Sequence, residues 1–124
     1  MKKQLLLLSI AAFLVSAYVI VRNGSTEVTP AAAVSYATDI RPILESRCGS
    51  CHMGKMVSAG LNMETYESLT AGSQNGPVIV PGNAGGSLLV KKLTSGQMPK
   101  RGPKLTPTQI QLIIDWINAG ALDN

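Results

Sequence analysis

The sequence predicts an all-α domain of about 89 residues, Tyr36 to Asn124, set behind a separate apolar N-terminal helix. Three observations predict it. Apolar residues recur at helical spacing over 40–48 and again over 110–117. Thr106-Pro107-Thr108-Gln109 carries the chemistry of a helix start. The β-branched run Val78-Ile79-Val80 is too short to anchor a sheet.

Met1-Lys2-Lys3 precedes an uncharged run at 5–21, LLLLSIAAFLVSAYVIV, and Arg22 ends it. Residues 1–22 therefore read as a signal peptide or an N-terminal membrane anchor. As a helix the run would span about 26 Å, slightly less than the hydrocarbon core. Val15-Ser16-Ala17 offers small residues for cleavage, but Tyr18-Val19-Ile20-Val21 continues the apolar run past it. The balance favours a retained anchor. In either case Lys2 and Lys3 stay inside and the rest of the chain lies on the periplasmic, extracytoplasmic side. Residues 23–35 are small and polar, and read as a flexible tether.

The first helix is predicted over 40–48. Asp39 caps it, Pro42 falls in its first turn, and Ile40, Ile43, Leu44 and Cys48 share a face. A short helix follows around 65–70, with Tyr66 and Leu69 apolar. Another covers 84–94, with Asn83 as cap, Leu88, Leu89 and Leu93 inward, and Gly96 as terminator. The last has Thr106 as N-cap, Pro107 at N1 and Gln109 at N3, a capping box. Its apolar stripe is Ile110, Ile113, Ile114 and Ile117, widened by Leu112 and Trp116, and Gly120 ends it.

Residues 36–124 form one small domain, and it holds only three aromatics, Tyr36, Tyr66 and Trp116. Its core is marginal, so something other than large side chains is expected at its centre. Two cysteines and one histidine exclude a multi-disulfide framework and a four-ligand Cys/His zinc site. The net charge of +4 includes Lys2 and Lys3, and basic residues are not interleaved with aromatics, which argues against nucleic acid. The glycine-rich stretch 81–87 lacks the Gly-Lys-Ser/Thr of a phosphate loop.

Cys48-Gly49-Ser50-Cys51-His52 is C-x-x-C-H, the c-type haem attachment signature. Two thiols a helical turn apart reach the two vinyl groups of one porphyrin and form thioethers. The imidazole of the next residue then becomes the proximal iron ligand. Gly49 and Ser50 are small and let the backbone approach the ring. A thioredoxin-like pair would need a βαβ context that this chain lacks. The missing centre of the domain is therefore one covalently bound haem c, with helices wrapped around it.

Asp39-Ile40-Arg41-Pro42-Ile43-Leu44 leading into CGSCH resembles class I c-type cytochromes, and within them the planctomycete-type cytochrome c domain. The further matches are Gly76-Pro77-Val78-Ile79-Val80-Pro81-Gly82, Ser87-Leu88-Leu89, Met98-Pro99, Leu105-Thr106 and Trp116-Ile117-Asn118-Ala119-Gly120-Ala121. The resemblance implies a small cytochrome c fold in which the first and last helices cross beside the ring.

A second axial ligand decides between electron transfer and small-molecule binding. No second histidine exists, so Met53, Met56, Met63 and Met98 are the candidates. Met53 adjoins His52 and should not reach the other face. Met56 and Met63 follow closely, and Met63 reads as core packing. Met98 lies between two helices, is followed by Pro99, and falls where the family carries its axial methionine. The favoured set is Cys48, Cys51, His52 and Met98, with His52 and Met98 on the metal.

Lys91, Lys92, Lys100, Arg101 and Lys104 bracket Met98 without an intervening acid, as a docking face for an acidic redox partner would. Arg47, Lys100 or Arg101 would neutralise haem propionates. The expected function is single-electron transfer by a carrier rather than an enzyme. The alternatives are a haem-bearing subunit of a larger membrane complex, or a haem enzyme or gas sensor with a labile distal ligand.

Overall fold

The computed structural model describes residues 33–55 and 57–124, and within them the helices begin at Ser35. Ser35 Oγ accepts from Thr38 N at 3.4 Å, and Ser35 N donates to Asp39 Oδ2 at 2.8 Å. This exchange starts a π-helical turn, Tyr36–Ile40, that continues directly into α1, Arg41–His52. Asp39 therefore acts one turn earlier than the cap that the sequence predicts. The predicted end at residue 48 also moves, to His52. Gly49 weakens a helix interior, but the buried face of Ile43, Leu44 and Cys48 continues to His52 at the next i+4 position, and Met53 N closes the last turn on Gly49 O at 3.1 Å. Tertiary burial thus outweighs local propensity, and the whole CGSCH stretch is helical.

A single 3₁₀ turn, Ser58–Gly60, leads to α2, Tyr66–Ala71. Thr65 and Ser68 form its capping box. Gly72 ends it with φ 89°, and a Cβ there would lie 2.7 Å from Gly76 O, so glycine is required. Val78 and Ile79 are buried but form no strand. Their partners are at the start of α3, Leu88–Thr94: Leu89 N donates to Val78 O at 2.9 Å and Val80 N donates to Ser87 Oγ at 2.9 Å. Ser87 is fully buried and donates in turn to Asn83 O at 2.9 Å.

The helix predicted from 84 therefore starts only at Leu88. Asn83 caps a turn instead, accepting from Gly86 N at 2.8 Å. Leu89, Val90 and Leu93 face inward. Leu88, predicted inward, is 40 % exposed, because the later start shifts the buried arc past it. Gly96 closes the helix by donating to Leu93 O at 3.1 Å, as expected.

The last helix, α4, Pro107–Asn118, has the Thr106–Gln109 capping box that the sequence predicts, and buries Ile113, Trp116 and Ile117. It packs against the π-turn at the head of α1 and against α3. Among the described residues the secondary structure is helical, with no strand beyond an isolated bridge between Ser73 and Gly76.

The three aromatics gather in one place. Tyr36 lies edge-on to Tyr66 at 5.2 Å and stacks on Trp116 at 5.5 Å. Tyr66 Oη donates to Ala121 O and Trp116 Nε1 to Leu122 O, each at 2.8 Å. Beside them the ends of the described chain meet. Ala37 N donates to Asn124 O at 3.0 Å, and Tyr36 N to Asn124 Oδ1 at 2.9 Å. Large side chains thus fill one part of the domain, and none of the three lines the cleft described next.

No helix among the described residues is long and apolar enough to cross a membrane. The apolar run at 5–21 lies outside the described residues, as does the tether up to residue 32.

Candidate functional site

A cleft of about 350 Å³ opens beside the C-terminal turn of α1. Helix periodicity sets Cys48 and His52 on the buried face and leaves Cys51 exposed. All three line the cleft, and both cysteines are free thiols. Burial, with a smaller contribution from Cys51, pushes the Cys48 thiol up to about 11. Cys48 is therefore a protonated thiol at neutral pH.

His52 is buried, and its Nδ1 lies 3.2 Å from Leu61 O. A carbonyl only accepts, so Nδ1 is the donor, which leaves Nε2 as the ring nitrogen open to a metal. That arrangement suits a metal-binding imidazole, and the carbonyl fixes the ring's orientation. The backbone of His52 is tied as well: Met63 N donates to His52 O at 2.7 Å. Leu61 is a positioning residue that no side-chain motif signals, since it acts through its carbonyl.

The methionines separate by position. Met53 packs on the core with its sulfur over Gly49, and it is not part of the cleft wall. Met56 lies outside the described residues. Met63 is buried, as core packing predicts, and also borders the cleft from the segment stitched to His52. Met98 borders the same cleft from the separate segment between α3 and α4. Met98 N donates to Lys92 O at 3.0 Å, Pro99 is buried behind it, and Lys104 Nζ donates to Pro99 O. The Met98–Pro99 peptide is cis.

The rest of the wall suits a large apolar ligand that carries carboxylates. Val78, Leu89 and Leu93 supply apolar surface. Arg47, Lys100 and Arg101, the three cations named for propionates, all border the cleft. Arg47 Nε is buried without any hydrogen-bond partner, a donor that an acceptor entering the cleft would satisfy. One oriented imidazole with a free Nε2, two free thiols a turn apart, a thioether and this orphaned donor together fit a covalently held haem.

Residues 48–102 match the family model described as Planctomycete cytochrome C, the family that the sequence motifs resemble. The matched stretch contains every cleft residue named above except Arg47, and over these residues the chain is similar to that cytochrome c family. No curated protein and no solved structure matches the chain.

Proposed function

We propose that this chain is a monohaem c-type cytochrome that carries single electrons outside the cytoplasmic membrane. Cys48 and Cys51 would hold the haem through thioethers, and His52 and Met98 would ligate its iron. The observation that carries this reading is the orientation of His52. Its Nδ1–H is spent on Leu61 O, so Nε2 is available in a cleft bordered by two free thiols and Met98. When bound, haem supplies an iron that gains or loses one electron without any change in substrate bonds.

The chain's own residues do the rest. Leu61 O would hold the His52 ring, and the Met63 N–H its backbone, in one orientation toward a bound haem iron. Val78, Leu89 and Leu93 keep water away, which favours the less charged ferrous state. The Met98 thioether acts in the same direction and raises the potential. The single histidine is already assigned, which leaves no second histidine to activate a nucleophile, so a carrier fits better than a histidine-dependent hydrolase. The extracytoplasmic location rests on Lys2, Lys3 and the apolar run behind them.

Optical spectra of the purified protein, oxidised and reduced, with and without carbon monoxide, test this reading. A low-spin ferric spectrum with the far-red sulfur-to-iron band, and a ferrous form slow to bind carbon monoxide, are expected. Haem released by acid-acetone would refute covalent attachment. Rapid carbon monoxide binding would favour a gas-binding protein.

A further inference from the structure

Met98 borders the cleft from a segment of its own, and a single residue holds that segment twice. Lys92 lies in the last turn of α3, where backbone carbonyls lose their helical partners. Ser95 N donates back to Lys91 O and Gly96 N to Leu93 O, each at 3.1 Å, so the amides that close the helix pass over Lys92 O. It accepts instead from Met98 N at 3.0 Å. The side chain of the same residue reaches forward as well, and Lys92 Nζ donates to Gln97 Oε1 at 2.5 Å. Gln97 and Met98 are thereby tied to Lys92, one through its side chain and the other through its backbone.

Burial separates their roles. Met98 is half-buried at the cleft and Pro99 is buried behind it, whereas Gln97 is exposed. Gln97 is not part of the cleft wall, so it acts on the site only through the chain. Glycines flank the segment on both sides. Gly96 has φ 69° and Gly102 has φ 77°, and a Cβ at either would meet open space. Neither glycine is packed in place, so both ends of the segment 97–101 can pivot unless bonds hold them. Past Met98 that bond is Lys104 Nζ to Pro99 O. Before Met98 it is the Lys92–Gln97 pair.

We infer that Lys92 and Gln97 form a latch that positions the Met98 side chain, and that this pair sets how well the distal ligand competes with small molecules for the iron. The inference rests on the haem reading above, with Met98 on the metal. A neutral thioether is a weak ligand to ferric iron, and a small ligand replaces it whenever the chain swings away. Each bond that fixes the chain beside Met98 in advance lowers the ordering cost of the ligated arrangement. Gln97 is thus a positioning residue, and it touches neither haem nor iron.

The test is imidazole titration of the ferric, haem-loaded full chain, followed at the far-red sulfur-to-iron band. Gln97→Leu removes the acceptor and should raise the affinity for imidazole about threefold. Gln97→Glu keeps an oxygen acceptor for Lys92 and should restore the parent value. Lys92→Met keeps the aliphatic stem at the cleft and the backbone carbonyl, and should match Gln97→Leu. The double variant should bind imidazole no more tightly than either single variant, because both substitutions remove the same bond. Lys91→Met removes the same charge one residue away, outside the cleft, and should leave the affinity at the parent value.

A parent-like affinity for Gln97→Leu would overturn the inference. So would additive effects in the double variant, which would make the two residues independent. An equal rise in Lys91→Met and Lys92→Met would reduce the effect to charge and overturn it as well. Failure of the underlying reading looks different. If Met98→Ala keeps both the band and the imidazole affinity of the parent, Met98 is not the iron ligand and the latch has no ligand to position.

Discussion

Replacing Tyr36 by phenylalanine should make this protein more stable. Tyr36 is 3 % exposed, and its hydroxyl is buried without a hydrogen-bond partner. Its ring does the packing, 5.2 Å from Tyr66 and 5.5 Å from Trp116, and phenylalanine keeps that ring. A buried, unpaired polar group costs about 1–3 kcal/mol. The dispersion attraction that one oxygen atom supplies is smaller, a few tenths of a kcal/mol. The net gain is about 1 kcal/mol, which for a domain of this size raises Tm by about 4–8 °C.

The effect should grow with pH. Burial raises the Tyr36 pKa, Arg41 opposes that in part, and Asp123, Glu67 and Glu45 add to it. A phenol whose folded pKa lies above its unfolded value of about 10 contributes stability that is intact below pH about 10 and is lost as pH rises through the folded value. Phenylalanine has no such loss, so the gap between variant and parent should widen above pH about 10. Thermal melts followed by far-ultraviolet circular dichroism, at neutral and at alkaline pH, measure both quantities. A lower Tm for Tyr36→Phe would mean that the hydroxyl has a partner, and a gap that does not grow with pH would refute the titration argument.

Met98→Ala should abolish the far-red sulfur-to-iron band and open ferrous iron to carbon monoxide, whereas Met63→Ala should keep the band; the reverse pattern in optical spectra would transfer the ligand role to Met63. Lys104→Gln removes the donor that holds Pro99 O, and should raise imidazole affinity of the ferric protein about threefold to fivefold, with Lys104→Arg restoring the parent value. Imidazole titration reads this directly, and equal affinities would remove Lys104 from the support of the Met98 segment. Protein made without haem should show weak helical circular dichroism and fast proteolysis, because an apolar cleft of about 350 Å³ beside α1 then loses its filling. A cooperative melt close to that of the loaded protein would show that the aromatic cluster alone sustains the fold.

The features legible in the sequence are those encoded within a few residues. CGSCH announces its chemistry by spacing, and Thr106-Pro107-Thr108-Gln109 starts α4 where it predicts. What the sequence hides depends on distant partners. The continuation of α1 to His52 follows from burial of Cys48 and His52, not from the propensity of Gly49 and Ser50. The start of α3 slips to Leu88 because Ser87 is drawn into the interior by Val80 and Asn83. That slip turns Leu88 outward, and residue type gave no warning of it. Leu61 acts through a backbone carbonyl, which every residue possesses. Among the five cations near Met98, only the fold separates the three that border the cleft from the two that do not, and only the fold adds Arg47 to them.

The meeting of Ser35, Tyr36 and Ala37 with Asn124 makes the order of the helices along the chain largely a matter of convention. Ser35 Oγ donates to Asn124 O at 2.7 Å, so a linker of a few residues from 124 back to 35 closes the backbone into a ring. The acceptor survives the closure, because an amide carbonyl replaces it in kind, and closing so short a gap costs little loop entropy. New ends cut at exposed Gly102 and Pro103 would fall just after the Met98 segment. The attachment turn and the methionine would then be carried on one uninterrupted stretch, with α4 leading the chain rather than ending it. Such a circular permutant keeps every cleft-lining residue on one stretch, 47–101, and leaves the hold of Lys104 on Pro99 O to tertiary packing alone.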